Sequence, residues 1–252
     1  MPQSMQLWLK LWLLSDATLG RGDGVAGVVD AEVQHDELGL PYLSGKTLKG
    51  LLGAECAEIL FALQLSQPDK AGIWSAAADR LFGEPGSQYE AGTLHVSDAR
   101  LPRGLRAALA ADFARIEAEL REQYKDEPDA YRQQWERRLG RFQRENLEAL
   151  TALRRQTALD AATGAPRENT LRTMRVVVRE TPLEAEIIAR ETLSDAEQQL
   201  LAACVRAFRR AGTGRNRGRG RLRAELYLND PSEADTQPIT GEWFVSFRKA
   251  VL

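Results

Sequence analysis

The chain has 252 residues, of which 43% are hydrophobic and 28% charged, proportions typical of a globular protein with a sizeable core. A formal net charge of −2 excludes a protein that is basic throughout. No stretch reaches the ~18 apolar residues of a membrane helix. The apolar run at the start is too short for a signal peptide, so we expect a cytoplasmic protein with no membrane partner.

The first hundred residues predict two strands and one helix. Apolar residues alternate at period two over residues 5–14, which indicates a strand. A glycine-rich loop at 20–27 and a short extended piece at 28–33 follow. A helix is predicted from Thr47 to about Leu63, and a second strand at residues 94–96.

Residues 101–155 differ in composition, being rich in Ala, Leu, Glu, Gln and Arg. Apolar residues recur at helical spacing, which predicts two amphipathic helices that break around residues 125–128. We interpret this segment as an insertion or side domain. Its charge pattern is typical of solvated helix faces, and its aromatic residues are equally suited to contact with a neighbouring subunit.

The remainder of the chain predicts further strands and one helix. A hairpin is expected within 157–182 and a strand at 183–189. The helix at 194–210 begins with Ser194 and Glu197 in capping-box spacing. Strands are predicted at 222–228 and near 243–247.

Without the insertion, the order of elements is β, α, β, β, α, β. This order predicts an α+β fold of the ferredoxin-like (RRM-like) plan, an antiparallel sheet with two helices on one face. RNA-binding domains use the same plan. The two cysteines, Cys56 and Cys204, lie in apolar helical patterns without CxxC spacing, so we expect buried thiols rather than a disulfide or a zinc site.

Two stretches have the chemistry of phosphate binding. The first, LGLPYLSGKTLKGLLG at 38–53, opens a helix, and helix N-termini attract anions. The second, GTGRNRGRGR at 212–221, interleaves arginine with glycine, which permits close approach of the main chain. Eight arginines and no carboxylate lie between Arg206 and Arg223, a basic face that favours RNA. The predicted RNA-binding residues are Ser44, Lys46, Thr47, Lys49, Arg215, Asn216, Arg217, Arg219 and Arg221.

Four stretches also resemble one protein family. PYLSGKTLKG at 41–50 resembles the PYIPGSSLKG signature of the RAMP superfamily of CRISPR proteins, and GTGRNRGRGR looks like its C-terminal glycine-rich loop. LFG at 81–83 followed by GTLHVSDA at 92–99, and residues 157–187, are similar to two further family patterns. The arrangement looks most like the repeated backbone subunit of type III (Csm/Cmr-type) effector complexes. Departures from the family pattern are Ser44, Lys46, Gly53 and Arg219.

The resemblance implies a division of the chain and a set of partners. A ferredoxin-like core would comprise 1–100 and 156–252, with a thumb near 157–182 and the helical insertion at 101–155. The partners would be CRISPR RNA, target RNA, other copies of the chain and other subunits of the complex. In the thumb, Arg172, Thr173, Met174 and Arg175 would contact RNA, with an apolar residue wedged between bases. A place for Met174 in the core is the alternative.

The resemblance also implies a catalytic residue. In proteins that look like this, an aspartate in the loop after the first strand supports cleavage of target RNA, and VDAEVQHD places Asp30 there. Asp30 would hold a divalent metal, magnesium or manganese, or orient a 2′-hydroxyl. Asp23 is the second candidate. If Asp30 only caps a turn, the chain is a non-catalytic scaffold subunit; if His35 acts as a base, it is a guide-processing endoribonuclease.

Overall fold

The computed structural model describes residues 4–20, 30–83, 92–158, 160, 162–214, 218–233 and 235–252. Twelve elements follow one another along these residues. They are β1 (Met5–Leu13), α1 (Gly45–Ser66), α2 (Pro68–Phe82), β2 (Leu94–Val96), α3 (Arg103–Gln123), α4 (Pro128–Leu150), β3 (Thr151–Gln156), β4 (Arg172–Val177), β5 (Pro182–Ala189), α5 (Asp195–Ala207), β6 (Leu222–Tyr227) and α6 (Thr240–Val251).

The centre of the molecule is an antiparallel sheet of four strands in the order β2-β5-β1-β6. The alternation in β1 sends Leu7, Leu9, Leu11 and Leu13 to one face, where all four are buried. Apolar residues of α1, α2, α5 and α6 join the same core cluster. The opposite face carries the partly exposed Trp8, Lys10 and Trp12 of β1.

Two helices and two strands lie between β2 and β5 in the chain. Strands β3 and β4 form a separate antiparallel hairpin, with Thr151 opposite Val177. Helices α3 and α4 pack on each other around Phe113, whose ring lies 4.9 Å from Trp135 and 5.1 Å from Phe142.

The end of α4 is attached to the core. The side chains of Gln143 and Asn146 donate to the carbonyl oxygens of Glu37 and Leu38, at 2.6 and 2.9 Å. Leu147 is partly buried against the core cluster. The helical insertion therefore contacts the sheet domain at its base.

Several expectations from the sequence are confirmed. The strands at 5–14, 94–96, 183–189 and 222–228 are present within one residue, as is the capping box of α5, with Ser194 and Glu197 bonded reciprocally. Cys56 and Cys204 are free and buried. Apart from these confirmed expectations, none of the helices in the described part of the chain is long and apolar enough to cross a membrane.

Two expectations about elements are corrected, and one helix was missed. The strand predicted near 243–247 is helix α6, because Trp243, Phe247 and Val251 recur every four residues and face the core. Helix α2 was not predicted. The segment 101–155, expected to be helical throughout, ends in strand β3, which pairs with β4 and therefore belongs to the hairpin.

Candidate functional site

The loop that carries Asp30 lies against strand β4. The Asp30 amide donates to the carbonyl oxygen of Thr173 at 2.8 Å, and the Thr173 amide donates to Asp30 Oδ2 at 2.7 Å. Ala31 forms a parallel bridge with Met174. This pairing fixes the orientation of an exposed carboxylate beside the residues predicted to form the thumb.

An ion pair between the Asp30 loop and strand β4 strengthens the attachment of the loop to the strand. Arg175 Nε lies 2.9 Å from Glu32 Oε1, and Arg175 Nη1 donates to Thr151 Oγ1 at 3.2 Å. Both side chains are largely shielded, with 16% of Arg175 and 8% of Glu32 exposed. The guanidinium thus joins the loop to both strands of the hairpin, and its contact with RNA stays a prediction.

The glycine-rich loop has a closed stem. The Ala211 amide donates to the Gly220 carbonyl, and the Leu222 amide donates to the Arg209 carbonyl, both at 2.9 Å. Gly212 and Gly220 have φ angles of +83° and +67°, which L side chains rarely adopt. A Cβ on Gly220 would overlap the Ala211 carbonyl oxygen, so glycine is required there.

The stem is docked on the chain that leaves β1. The amide of Thr213 donates to the Thr18 carbonyl, and the amide of Gly220 donates to the Asp16 carbonyl, both at 2.9 Å. Ala17, between these residues, bridges to Val177 of the hairpin. One short segment therefore holds the arginine loop and the hairpin together.

Asp16 is the centre of this junction, and the sequence analysis missed it. Its Oδ2 lies 2.7 Å from Arg154 Nε, and its Oδ1 accepts from the Arg179 amide at 3.1 Å. The carboxylate thereby bonds strand β3 and the turn after β4, while its carbonyl holds the loop stem. A polar residue after a strand is common, and no pattern in the sequence distinguishes this one.

Three distant segments converge at this place. The Arg219 guanidinium contacts the sulfur of Met174, which neighbours Thr173 and hence Asp30. The exposed Arg172 lies at the start of the same strand. A carboxylate, a half-buried thioether and cationic side chains are thus adjacent, an arrangement that suits a ribose-phosphate chain.

The remaining residues of these two loops are not placed. Asp23, Arg215, Asn216 and Arg217 lie outside the described residues. Arg221 is exposed, and its amide donates to Ser15 Oγ at 3.0 Å, which sets it at the base of the loop stem.

The other predicted RNA-binding group, at residues 44–49, forms the start of helix α1 and packs on the edge strand β2. Ser44 is the N-cap of α1, its Oγ accepting from the Thr47 amide at 3.4 Å. The Gly45 amide donates to Asp98 Oδ1 at 2.9 Å, and a Cβ on Gly45 would overlap the Val96 carbonyl oxygen. Close packing of the helix start on β2 explains this glycine.

The two lysines of this helix start differ. Lys46 and Thr47 are exposed at the N-terminus of a helix of 22 residues, where the dipole favours anions. Lys49 Nζ donates to the Leu94 carbonyl at 2.9 Å. Burial lowers the pKa of the Lys49 ammonium, and the charge of Arg190 lowers it further. Lys46 is therefore the more accessible cation.

His35 occupies a structural position. It forms an antiparallel bridge with Pro41, and its Nδ1 lies 3.0 Å from the Asp36 carbonyl. The Asp36 carboxylate accepts from the amides of Leu38 and Leu40, both at 3.0 Å, and so caps the turn.

A divalent metal would find one protein ligand at Asp30. Within the described residues, no group of three or more His, Cys, Asp or Glu side chains is placed to hold a metal ion. Magnesium in phosphate sites is commonly held by one or two carboxylates plus water and phosphate oxygens. The residues thus fit a cation bound together with RNA, with the neighbouring Glu32 carboxylate engaged by Arg175.

Comparison with known proteins bears on both the fold and the family. The family model of the RAMP superfamily matches residues 11–223. A chain in the cryo-EM structure of the type III-B Cmr-β bound to cognate target RNA superposes with a TM-score of 0.55 at 14% identity, over 88% of this chain and 97% of the other. A chain of the apo-state type III-B Cmr-β structure gives the same values. No curated protein matches the sequence significantly. At this identity the structural likeness concerns the fold.

Proposed function

We propose that this chain, which belongs to the RAMP superfamily, is a backbone subunit of a type III CRISPR ribonucleoprotein. It binds the guide RNA, polymerises along it in the cytoplasm with other subunits, and cleaves the paired target RNA through Asp30. The observation that carries this proposal is the convergence of the Asp30 loop, the β3–β4 hairpin and the arginine loop. The similarity of fold to chains of type III-B Cmr-β supports it.

The arrangement of the sheet is consistent with a ferredoxin-like core. The strand order β2-β5-β1-β6 corresponds to an RRM-like plan in which α1 and α5 are the two crossover helices. In that assignment β3 and β4 are the thumb, and α3 with α4 is the insertion. Residues 151–156 then belong to the thumb rather than to the insertion.

Two groups of cations would hold the guide RNA. Ser44, Lys46 and Thr47 present hydroxyls, a charge and a helix N-terminus on the β2 side of the sheet. The stem of the arginine loop is bonded to the chain that follows β1, and the guanidinium groups of the loop would meet phosphate oxygens. Base pairing with the guide would supply sequence specificity, and the protein would read the backbone.

Asp30 would act on a ribose held against the thumb. Its carboxylate, oriented by the Thr173 amide, accepts the proton of a 2′-hydroxyl as that oxygen attacks the adjacent phosphorus. The bond from phosphorus to the 5′-oxygen breaks, the leaving oxygen takes a proton from water, and the hydroxide so formed removes the proton from Asp30. The products are a 2′,3′-cyclic phosphate and a 5′-hydroxyl. In the alternative in which Asp30 holds a magnesium or manganese ion instead of accepting the proton, that ion would supply stabilisation of the phosphate charge.

The test is a single atom replacement in Asp30. Asp30→Asn retains an oxygen that accepts from the Thr173 amide but removes the negative charge. We expect the reconstituted ribonucleoprotein to lose at least 100-fold in target cleavage, the scale of general-base catalysis. Guide binding and assembly should be unchanged, because the carboxylate is exposed. Asp69→Asn, on the exposed surface of α2, is the matched control.

A change in the substrate supplies an independent measurement. A target with a 2′-deoxyribose at the cleaved nucleotide should resist cleavage by the unaltered protein, because the nucleophile is missing. Normal cleavage by Asp30→Asn would contradict the catalytic role of Asp30 and favour either Asp23 as the catalytic residue or a scaffold subunit. Cleavage of repeat RNA that depends on His35 would favour the guide-processing alternative.

A further inference from the structure

A cleft lies at the outer edge of the sheet, along strand β6. It has a volume of about 450 Å³, within the usual range of ligand sites. Leu14, Ala224 and Phe244 contribute its apolar surface, and Arg206, Arg209 and Arg223 surround it. The three arginines belong to the basic stretch between Arg206 and Arg223, but none of the cleft residues is among the individual RNA contacts predicted from the sequence.

Two of the three arginines at this cleft are held by their neighbours. The Arg223 guanidinium carbon lies 4.6 Å from the centre of the Trp12 ring, and that of Arg206 lies 5.8 Å from the Phe244 ring. Arg206 Nη1 is also 3.5 Å from Glu225 Oε1. Stacked guanidinium groups lose little freedom on binding, and their planar donors match phosphate oxygens.

The apolar surface between these arginines is accessible to solvent. Leu14 is 55% exposed, and Phe244 is half-buried with its ring stacked 6.3 Å from Phe247. An aromatic ring beside cations is the combination with which proteins bind single-stranded nucleic acid, a base stacking on the ring while the backbone meets the charges. An acidic protein segment would bind to the arginines alone and would make no use of the aromatic ring, so the combination favours RNA.

The cleft is continuous with the stem of the arginine loop. Arg209 and Leu222, which line the cleft, pair with each other at the base of that stem. Leu14 also donates its amide to the Arg221 carbonyl at 2.7 Å. An RNA strand leaving the loop therefore meets this cleft next.

We propose that this cleft binds one nucleotide of single-stranded RNA, with the base against Phe244 and Leu14 and the phosphates against Arg209 and Arg223. This inference rests on the proposed function, since it extends the RNA path beyond the glycine loop. It assigns a role to arginines outside the glycine-rich loop.

The test measures binding of fluorescent 12-nucleotide oligouridine to the full chain by anisotropy over a series of salt concentrations. Arg209→Gln with Arg223→Gln should weaken binding and flatten the slope of log affinity against log salt by about 0.7 for each lost contact. Phe244→Leu keeps an apolar side chain but removes the ring. It should weaken RNA binding about tenfold with an unchanged salt slope.

Matched controls separate the cleft from general charge and stability. Arg248→Gln with Lys249→Gln removes the same charge from exposed positions of α6 and should bind normally. Inorganic polyphosphate has no bases, so its affinity should fall in the arginine variant but not in Phe244→Leu. Thermal melting of each variant verifies folding.

Each contrary outcome is informative. Normal RNA binding by both cleft variants, together with weakened binding by Arg219→Gln with Arg221→Gln, would overturn only this inference. Polyglutamate binding as tight as RNA, and equally lost in the arginine variant, would identify an acidic protein partner instead. Failure of the unaltered chain to bind RNA would overturn the proposed function as well.

Discussion

Single glycines in the arginine loop make distinct contributions to its shape. Gly218 and Gly220 have φ angles of +77° and +67°. A Cβ on Gly218 would meet open space, whereas one on Gly220 would overlap the Ala211 carbonyl oxygen. A substitution at Gly218 would therefore cause backbone strain only, whereas a substitution at Gly220 would cause both backbone strain and steric overlap.

This difference predicts unequal losses of stability. Gly218→Ala should lower the free energy of unfolding by about 1 kcal/mol, the cost of a left-handed conformation for an L residue. Gly220→Ala should cost at least about 1 kcal/mol more, because the bond between the Ala211 amide and the Gly220 carbonyl is disturbed. Urea denaturation measures both. Gly241→Ala in α6, where a Cβ meets open space, is the control. Equal losses at Gly218 and Gly220 would show that the stem is not closed.

The sequence identified individual residues of the candidate site but not their contacts. Asp30 and the thumb residues were each inferred from family patterns, and 143 positions separate Asp30 from Thr173. Their contact depends on the bridge between Ala31 and Met174, a tertiary pairing without a local signal. The ion pair between Arg175 and Glu32 could not be predicted for the same reason, because nothing in the sequence distinguishes Glu32 from the other carboxylates of its loop.

The Asp30 loop and strand β4 form the element-scale unit of the site. The ion pair of Glu32 and Arg175 joins them and is largely shielded from solvent. Removing one partner of such a pair leaves a charge without compensation, whereas removing both can be nearly neutral.

Arg175→Met should therefore cost about 3 kcal/mol in the free energy of unfolding, and adding Glu32→Gln should recover part of that loss. Hydrogen exchange at the Asp30 and Thr173 amides should accelerate in the single variant, because their mutual bonds depend on this attachment. A direct contact of Arg175 with RNA would give a different result. In Arg175→Met, hydrogen exchange at the Asp30 and Thr173 amides would be unchanged, and the slope of log RNA affinity against log salt would be flatter by about 0.7.

Elements with a strong local signal were predicted, and those decided by packing were not. The alternation of β1 and the capping box of α5 are local, and both were recognised. In α6 the apolar residues of WFVSF are compatible with the period of a strand and with that of a helix. Only the burial of Phe247 beside Trp74 selects the helix. Strand β3 continues the composition of α4, and its pairing with β4 determines its conformation.

At the scale of the whole molecule, the α3–α4 insertion extends from the core as a helical pair. Its helices have 21 and 23 residues, so the turn between them lies roughly 30 Å from the core. Phe113, Trp135 and Phe142 pack on one another within the pair. Contacts with the sheet domain concentrate near its base, at Leu147 and at the hydrogen bonds of Gln143 and Asn146.

We therefore expect the core to fold without the insertion. A short Gly/Ser linker joining Pro102 to Leu150 preserves β3, whose strand begins at Thr151 and pairs with β4. The shortened chain should melt cooperatively, with a lower Tm because the bonds to the Glu37 and Leu38 carbonyls are lost. Circular dichroism and thermal melting measure this, and Gln143→Ala with Asn146→Ala in the full chain isolates the contribution of those bonds. Loss of cooperative melting would show that the insertion belongs to the main core.

The same shortened chain tests whether the insertion serves assembly. Its helix surfaces beyond the base are largely exposed, and acidic residues concentrate near the turn, at Glu122, Asp126, Glu127 and Asp129. If these surfaces contact a neighbouring copy, the shortened chain should bind a short RNA normally, since both predicted RNA-binding groups remain. It should then fail to form an ordered multi-copy complex on a full-length guide, as measured by native mass spectrometry. Normal assembly on the guide would contradict a role in contacts between copies, because the remaining surfaces would then suffice for polymerisation.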